Sequence, residues 1–506
     1  MQDFNTIKNI VILGDGLEAW FAALFLKRLF AKSNIKVVES PVENSLQGHG
    51  ETSIFNIVSM LNELDIPTSA FMRETQATLH WGQSYARWRS DADAKDDAFF
   101  ILRVDGTQEP FNRWHEGLAY QVSALFARQV PLPHTVAAFT AAMQAVSRED
   151  AAAIIGSGQS GILPSFHFNK KQAIDFLKKT AIEQDISHTV SRFKETVWDK
   201  AGNVRGVLTE RGNFRTDFLI DASGSRRLVV GNSVGWQWQS VQSFFNTDSA
   251  VSLYYPAAGT NPALLTRHTA MNAGWLRQIP LMDTVCCDYV YSSQYADENA
   301  VQAELVNFFS GSIGTPESWG FEQGYYADVW RGNVMALGDA AGFIEPLVNS
   351  ANGQMLAQLL HFGQVVNAGG KIVSEHSINE FNRAQRAAWE EAVDFTRLFY
   401  HGTRNDTPFW QAADQMTVSD RYQALLEILK HRSPRLIDFT DYNQGGRQRV
   451  FAPSDWLFAA QALGWVSHES IIREQARLPE NQQLDVQQFL TKLGLTEAIE
   501  PIMGSV

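Results

Sequence analysis

Cysteine is nearly absent from the 506-residue sequence: Cys286 and Cys287 are the only two, and they are adjacent. Sequence neighbours rarely reach disulfide geometry, so neither a disulfide framework nor a cysteine metal site is expected, and a reducing compartment fits. Charge is sparse too, at 19% of residues, while hydrophobic residues reach 45%, a balance too apolar for a disordered chain. Basic residues are outnumbered, 42 Lys and Arg against 55 Asp and Glu for a net charge of −13. They form no long run that could track a phosphate backbone, so nucleic acid is not an expected partner. No uncharged apolar stretch of about 18 residues is present to span a bilayer, and no basic segment precedes the first apolar one. A cytoplasmic protein without membrane contact is expected. At this length a large core in at least two lobes is needed, because single cores stop growing beyond about 250–300 residues.

Glycine, by contrast, sits in informative places. The apolar run Asn9–Leu13 ends at Gly14-Asp15-Gly16-Leu17-Glu18-Ala19, and Trp20, Leu24 and Leu29 continue it at helical spacing. A second apolar run, residues 35–38, ends at Glu39, about twenty residues beyond the glycines. In a strand–turn–helix–strand unit, Gly14 permits the tight turn and Gly16 lets the backbone approach a pyrophosphate. Ala19 allows close helix packing, and Glu39 can accept from ribose hydroxyls. Dinucleotide binding is expected, with FAD and NAD both open at this point. Far downstream, residues 333–337 lead into Gly338-Asp339-Ala340-Ala341-Gly342 and then a helix over residues 353–366. A Gly-Asp after a strand resembles the second FAD contact of flavin monooxygenases, where the aspartate accepts from a ribityl hydroxyl; the plainer use is a helix cap.

Between the two motifs, residues 189–198, 204–210 and 214–220 alternate as short strands around the turn 200–203, and Asp221-Ala222-Ser223-Gly224 returns to the first sheet. The FAD fold is therefore interleaved, with no single linker dividing it. Trp236 and Trp238 alternate as in a half-buried strand, and the Ala-rich residues 136–155 read as a surface helix. No internal repeat occurs, and the tail from about Asn481 reads as a small helical appendage.

From about residue 9 to about residue 470 the sequence resembles the flavin-dependent tryptophan halogenase family. Gly48-His49-Gly50-Glu51-Thr52 is similar to its flavin segment, and residues 71–78 to the stretch before its catalytic lysine, with Trp88 at the expected spacing. Phe166-His167-Phe168-Asn169 looks like its Tyr-His-Phe-Asp turn, and residues 394–410 like its C-terminal helix and loop. The resemblance implies an α/β, FAD-binding doubly wound fold of the glutathione-reductase type, with an interleaved β-meander and a mostly helical substrate lobe. It implies an FAD-binding domain over residues 1–375, with substrate-side insertions at about 85–160 and 235–325, and a helical lobe over 376–506. Gly50, Glu51 and Thr52, then Pro346, Ser350 and Ala351, become flavin contacts alongside Gly14, Gly16, Ala19, Glu39 and Asp339.

Three key positions depart from the family pattern. His80 stands in place of the catalytic lysine; an imidazole with a reference pKa near ~6.5 can act as acid, base or donor, but equally can pack beside Trp81. Val348 stands where the family has a glutamate, and Glu345, three residues earlier, is expected to point toward the flavin. Gly274-Trp275-Leu276-Arg277-Gln278-Ile279-Pro280 keeps the first indole of a two-indole signature and places Arg277 at the second. A guanidinium fork there can meet a carboxylate or phosphate. Oxidation of a small aromatic substrate, tryptophan and other indoles among the candidates, by FADH2 and oxygen is expected, monooxygenase-type chemistry with a separate flavin reductase supplying the cofactor. An atypical halogenase and a flavin-binding protein without turnover are the alternatives. No metal is expected, and nothing in the sequence fixes the oligomeric state.

Overall fold

The computed structural model describes residues 1–41, 50–52, 56–80, 82–88, 98–102, 165–257, 265–311, 314–432, 434–442, 445–465 and 479–481. Gly48, His49, Trp81, the stretch 136–155 and most of the tail lie outside the described residues.

The first sheet runs, in spatial order, Trp330–Arg331, Val334–Ala336, Phe218–Asp221, Asn9–Leu13, Asn34–Glu39 and Ser187–Val190. All neighbours are parallel except the first pair. Strands covered on both faces read as continuous apolar runs, and Phe218–Asp221 is buried at every position. Helix Leu17–Leu29 makes the crossover between strands Asn9–Leu13 and Asn34–Glu39 and buries Trp20, Phe21, Leu24 and Phe25. Helices Lys170–Glu183 and Ser350–Ala368 pack against it. Gly363 permits the second contact, since a Cβ there would lie 2.6 Å from the Phe25 ring.

The meander differs from expectation at both ends. Residues 189–198 are two strands: Ser187–Val190 pairs with Asn34–Glu39 in the parallel sheet, and Phe193–Trp198 opens a three-stranded antiparallel sheet with Val204–Thr209 and Gly212–Arg215. The chain changes sheets at Ser191 and Arg192, beside Ser40, whose hydroxyl accepts from the Phe193 amide at 3.0 Å. Residues 214–220 likewise divide, because the Asp217 carboxylate accepts from the amides of Lys8 and Asn9 at 3.0 and 2.9 Å and turns the chain into Phe218–Asp221. Alternation alone carries no information about which sheet a strand joins.

Two further sheets position the site. A small one has Ser165–Asn169 between Gly50–Thr52 and Thr78–His80. A seven-stranded one runs Glu317–Gly320, Ser249–Pro256, Thr284–Tyr291, Gly274–Pro280, Leu265–Ala270, Gly82–Ala86 and Ala98–Leu102. Its period-two alternation sends Leu276 and Tyr289 to a core shared with Val301 and Leu305 of helix Glu298–Phe309. Trp275 and Val290 face the opposite way, into an aromatic core built with helices Glu375–Arg397, Pro408–Asp414, Asp420–His431 and Pro453–Ala462. Trp238–Ser240 forms a short strand against Gly324–Tyr326, where the Trp238 ring is half-buried under Arg227 at 3.8 Å. Trp236 lies just outside that strand, against Tyr326.

Candidate active site

A cavity of about 380 Å³ lies where the two glycine motifs converge, lined by Gly16, Glu18, Glu51, Lys170, Gly224, Arg226, Arg277, Gly338, Asp339, Pro346 and Ala351 among others. Gly16 caps helix Leu17–Leu29 with no side-chain bond, which leaves first-turn amides for an anion. Lys170 opens helix Lys170–Glu183, capped by Asn169, whose side chain accepts from the Gln172 amide at 3.0 Å. Its ammonium reaches Glu51 at 3.1 Å, and Glu51 also accepts from Asn352 at 3.1 Å. Glu51 foremost, then Glu18 and Asp339, hold the lysine above its ordinary range, while burial pushes Asp339 and Glu18 upward. Sequence reasoning missed Lys170, although the turn before it was in view. A cation after an N-cap residue is usually a surface feature, and only the convergence of three loops turns it inward.

Of the expected flavin contacts, Gly16, Glu51, Asp339, Pro346 and Ala351 line this cavity, and Gly14, Ala19, Glu39, Thr52 and Ser350 do not. Gly14 answers a different need: a Cβ there would overlap the carbonyl oxygen of Ala222 on the neighbouring strand. Ala19 and Ser350 are buried within their helices. Glu39 is bonded to Lys178 at 2.9 Å and His188 at 3.1 Å, so its carboxylate is already engaged. The Thr52 hydroxyl turns the other way, to Thr266 at 3.3 Å.

Arg277 reaches the cavity as part of a row across the large sheet. Its cross-strand neighbours are His268 on one side and Asp288 on the other, and Ser252 follows Asp288. The guanidinium holds Asp288 through Nε at 3.1 Å and Nη2 at 2.5 Å, and Nη1 donates to Asn349 at 3.3 Å. Ser252 donates to the other Asp288 oxygen at 2.6 Å. Both partners of the ion pair are buried, so neutralising one strands the other's charge. Asp288→Asn should destabilise the fold by about 3–5 kcal/mol, measured by denaturant unfolding. A loss below about 1 kcal/mol would mean that solvent reaches the pair.

His80 closes the small sheet and is buried. Its Nδ1 lies 2.7 Å from Ser165 Oγ, and the same hydroxyl donates to the His80 carbonyl at 2.9 Å. Serine has one proton, so Nδ1–H is the donor to it, and the neutral ring carries its lone pair on Nε2. The ring lies 4.6 Å from that of His167, which bonds Thr266 at 2.9 Å. Burial, and then the adjacent titratable ring of His80, push His167 well below the usual imidazole range; burial and then Arg277 do the same to His268. His80 does not line the cavity where the glycine motifs converge.

Trp275 also lies outside that cavity, fully buried, with Val348 in the same aromatic core. Its indole N–H donates to the Tyr400 hydroxyl at 2.8 Å, and Tyr400 donates to Glu345. Thr247 donates to the second Glu345 oxygen and accepts from Gln323 at 3.0 Å. Glu345 therefore points into the aromatic core, correcting the expectation that it faces the flavin. The backbone of Glu345 bonds the Gln323 side chain at 2.9 Å, which fixes this orientation. Burial pushes the Glu345 carboxyl up to about 7, opposed by the Thr247 and Tyr400 hydrogen bonds and by Arg397. Burial and then Glu345 push the Tyr400 hydroxyl well above its ordinary value, so it stays a donor.

A carboxyl raised on folding stabilises the fold in full below its unfolded pKa of about 4.3, and that contribution is lost as pH rises to the folded value. The wild type should lose about 3 kcal/mol through Glu345 between pH 4.5 and 7. Glu345→Gln should flatten that part of the profile, checked by thermal melts at pH 5 and 8. An unchanged difference between the two melts would show that Glu345 is ionised throughout.

A doubly wound sheet opening on a glycine-lined cavity defines the dinucleotide-binding α/β class. The description "Tryptophan halogenase" matches residues 9–476, and the chain belongs to the tryptophan halogenase family. It is 30% identical over 496 residues to y4xG of Sinorhizobium fredii (strain NBRC 101917 / NGR234), covering 97% of each chain. It is 26% identical over 444 residues to the tryptophan 7-halogenase RebH of Lentzea aerocolonigenes, covering 84% of this chain and 82% of that one. A solved tryptophan halogenase from Shewanella frigidimarina NCIMB 400 superposes with a TM-score of 0.80 at 21% identity, covering 98% of this chain and 95% of that one. Family membership implies FAD, a separate flavin reductase and a small aromatic substrate. Among the described residues, no helix is long and apolar enough to cross a membrane, and no cluster of His, Cys, Asp or Glu could hold a metal.

Proposed function

We propose that the chain is an FAD-dependent oxidoreductase that takes reduced flavin from a separate reductase and, with oxygen, oxidises a small aromatic substrate, tryptophan or another indole among them. The residues suit the cofactor. Gly16 and Gly338 bring backbone without side chains to one cavity, whose wall also carries Lys170. Gly16 and the first-turn amides would meet the pyrophosphate, and Asp339 a ribityl hydroxyl. Reduced FAD, when bound, supplies the electrons that turn oxygen into the oxidant. Residues 376–506 are read as the lobe that covers the substrate.

Oxygen transfer leads halogen transfer in this reading, and the Arg277–Asp288 pair in the cavity wall is the observation that carries it. Where the family signature has a second indole, this wall presents a fixed polar fork. In this reading His80 Nε2, with its ring oriented by Ser165, is the proton acceptor, and Trp275 limits access to the flavin. An atypical halogenase is the second reading, favoured by Glu345, whose carboxylate beside Tyr400 and Trp275 restores to the aromatic core the charge that Val348 lacks. Turnover with FAD, a flavin reductase, NADH, saturating bromide and labelled oxygen, read by product mass, separates them. Labelled oxygen in the product is expected. A brominated product without label would reverse the order, and saturable flavin binding with no product across a broad aromatic panel would leave a binding protein.

A further inference from the structure

We propose that Glu18 is a proton-linked gate on the flavin pyrophosphate seat, its carboxylate lying where a dinucleotide diphosphate must approach and yielding only by moving aside or taking up a proton. The proposal rests on the FAD reading above.

The geometry arises in the turn Gly14-Asp15-Gly16-Leu17-Glu18-Ala19. Glu18 belongs to the first turn of helix Leu17–Leu29, yet its side chain folds back over the glycines. A Cβ on Gly16 would lie 2.8 Å from Glu18 Oε1, and one on Gly338 would lie 2.9 Å from Glu18 Cβ. A Cβ on Gly224 would meet Glu18 Oε1 at 3.9 Å. Three loops that converge on the cavity therefore present their glycines to one carboxylate. A helix N-terminus favours an anion, and here the chain supplies its own.

The surrounding charges make the competition acute. Asp15 shares the turn and is paired with Arg226 at 3.1 Å. Glu51 is paired with Lys170, and Asp339 faces Glu18 from the second glycine motif. Glu39 bears on Asp15 from the strand end, and Arg227 and Glu322 stand on the cavity rim, bonded to each other at 2.7 Å. The cation that bears on Glu18, Lys170, thus already serves a carboxylate. Burial and then Asp339 raise Glu18 above the usual carboxylate range. An arriving diphosphate raises it further, so binding takes up a proton and affinity falls as pH rises.

Oxidised FAD binding, followed by quenching of its fluorescence, tests this at pH 6, 7 and 8 and constant ionic strength. The wild-type Kd should rise with pH, by up to ~10-fold per unit, the limit for one linked proton. Calorimetry in two buffers of different ionisation enthalpy should show net proton uptake, a readout that needs no variant. Glu18→Gln should bind about 10-fold tighter than wild type at pH 8 and lose most of the pH dependence. A pH-independent wild-type Kd, or a pH dependence that persists undiminished in Glu18→Gln, would overturn the gate while leaving the flavin reading intact. Failure of both proteins to bind FAD at tens of micromolar at every pH would overturn the flavin reading, and the gate with it.

Discussion

His80→Gln should lower turnover by roughly 100- to 10,000-fold, the range that a positioned acid–base group supplies, while leaving FAD affinity unchanged. Glutamine can still donate to Ser165, but its amide has no basic nitrogen to accept a proton where the imidazole Nε2 stands. The ring lies outside the flavin cavity, so the cofactor should not sense the change. His80→Lys should not by itself confer halogenation, since the lysine would enter beside His167 without a carboxylate at Val348. Turnover of an identified substrate, with thermal melts as the control for folding, decides the matter. Full activity in both variants would reduce His80 to a packed side chain on the small sheet.

Gly16→Val and Gly14→Ala should fail in opposite ways. Valine at Gly16 projects into the cavity among the Glu18 carboxylate oxygens, the mobile end of a side chain, so the fold survives and FAD binding is lost. A methyl at Gly14 meets the backbone of Ala222, which is held by its own sheet bond to Leu13 at 2.9 Å and cannot retreat. The resulting overpacking should cost about 1–3 kcal/mol or more, with flavin affinity following the folded fraction. Circular dichroism melts together with FAD titration resolve the two. Retained FAD affinity in Gly16→Val would remove the turn from the cofactor site.

The sequence by itself determined the parallel sheet and the position of the glycine turns. Asn9–Leu13 is apolar throughout, and a strand buried on both faces has to be. It also determined the family, since the motifs at residues 48–52, 71–88 and 274–280 are ordered along the chain. Several site residues were legible as residue types at fixed spacings. Glu51, Asp339, Pro346 and Ala351 follow their motifs into the cavity, and Arg277 is visible as a departure before its surroundings are known.

Tertiary structure alone decided where the charges go. Arg277 looks available for a substrate anion until the neighbouring strand places Asp288 in its fork, a partner only eleven residues away that strand register selects. Glu345 looks like a displaced flavin contact until Gln323, Thr247 and Tyr400, from three separate segments, turn it into the aromatic core. Glu39 ends its strand as expected, yet the helix Lys170–Glu183 brings Lys178 to it and takes it out of the cavity. Periodicity and turn chemistry act within a few residues and can be read along the chain. Ion pairing and burial act between segments from 11 to 139 residues apart, and only the packed fold fixes which of those meet.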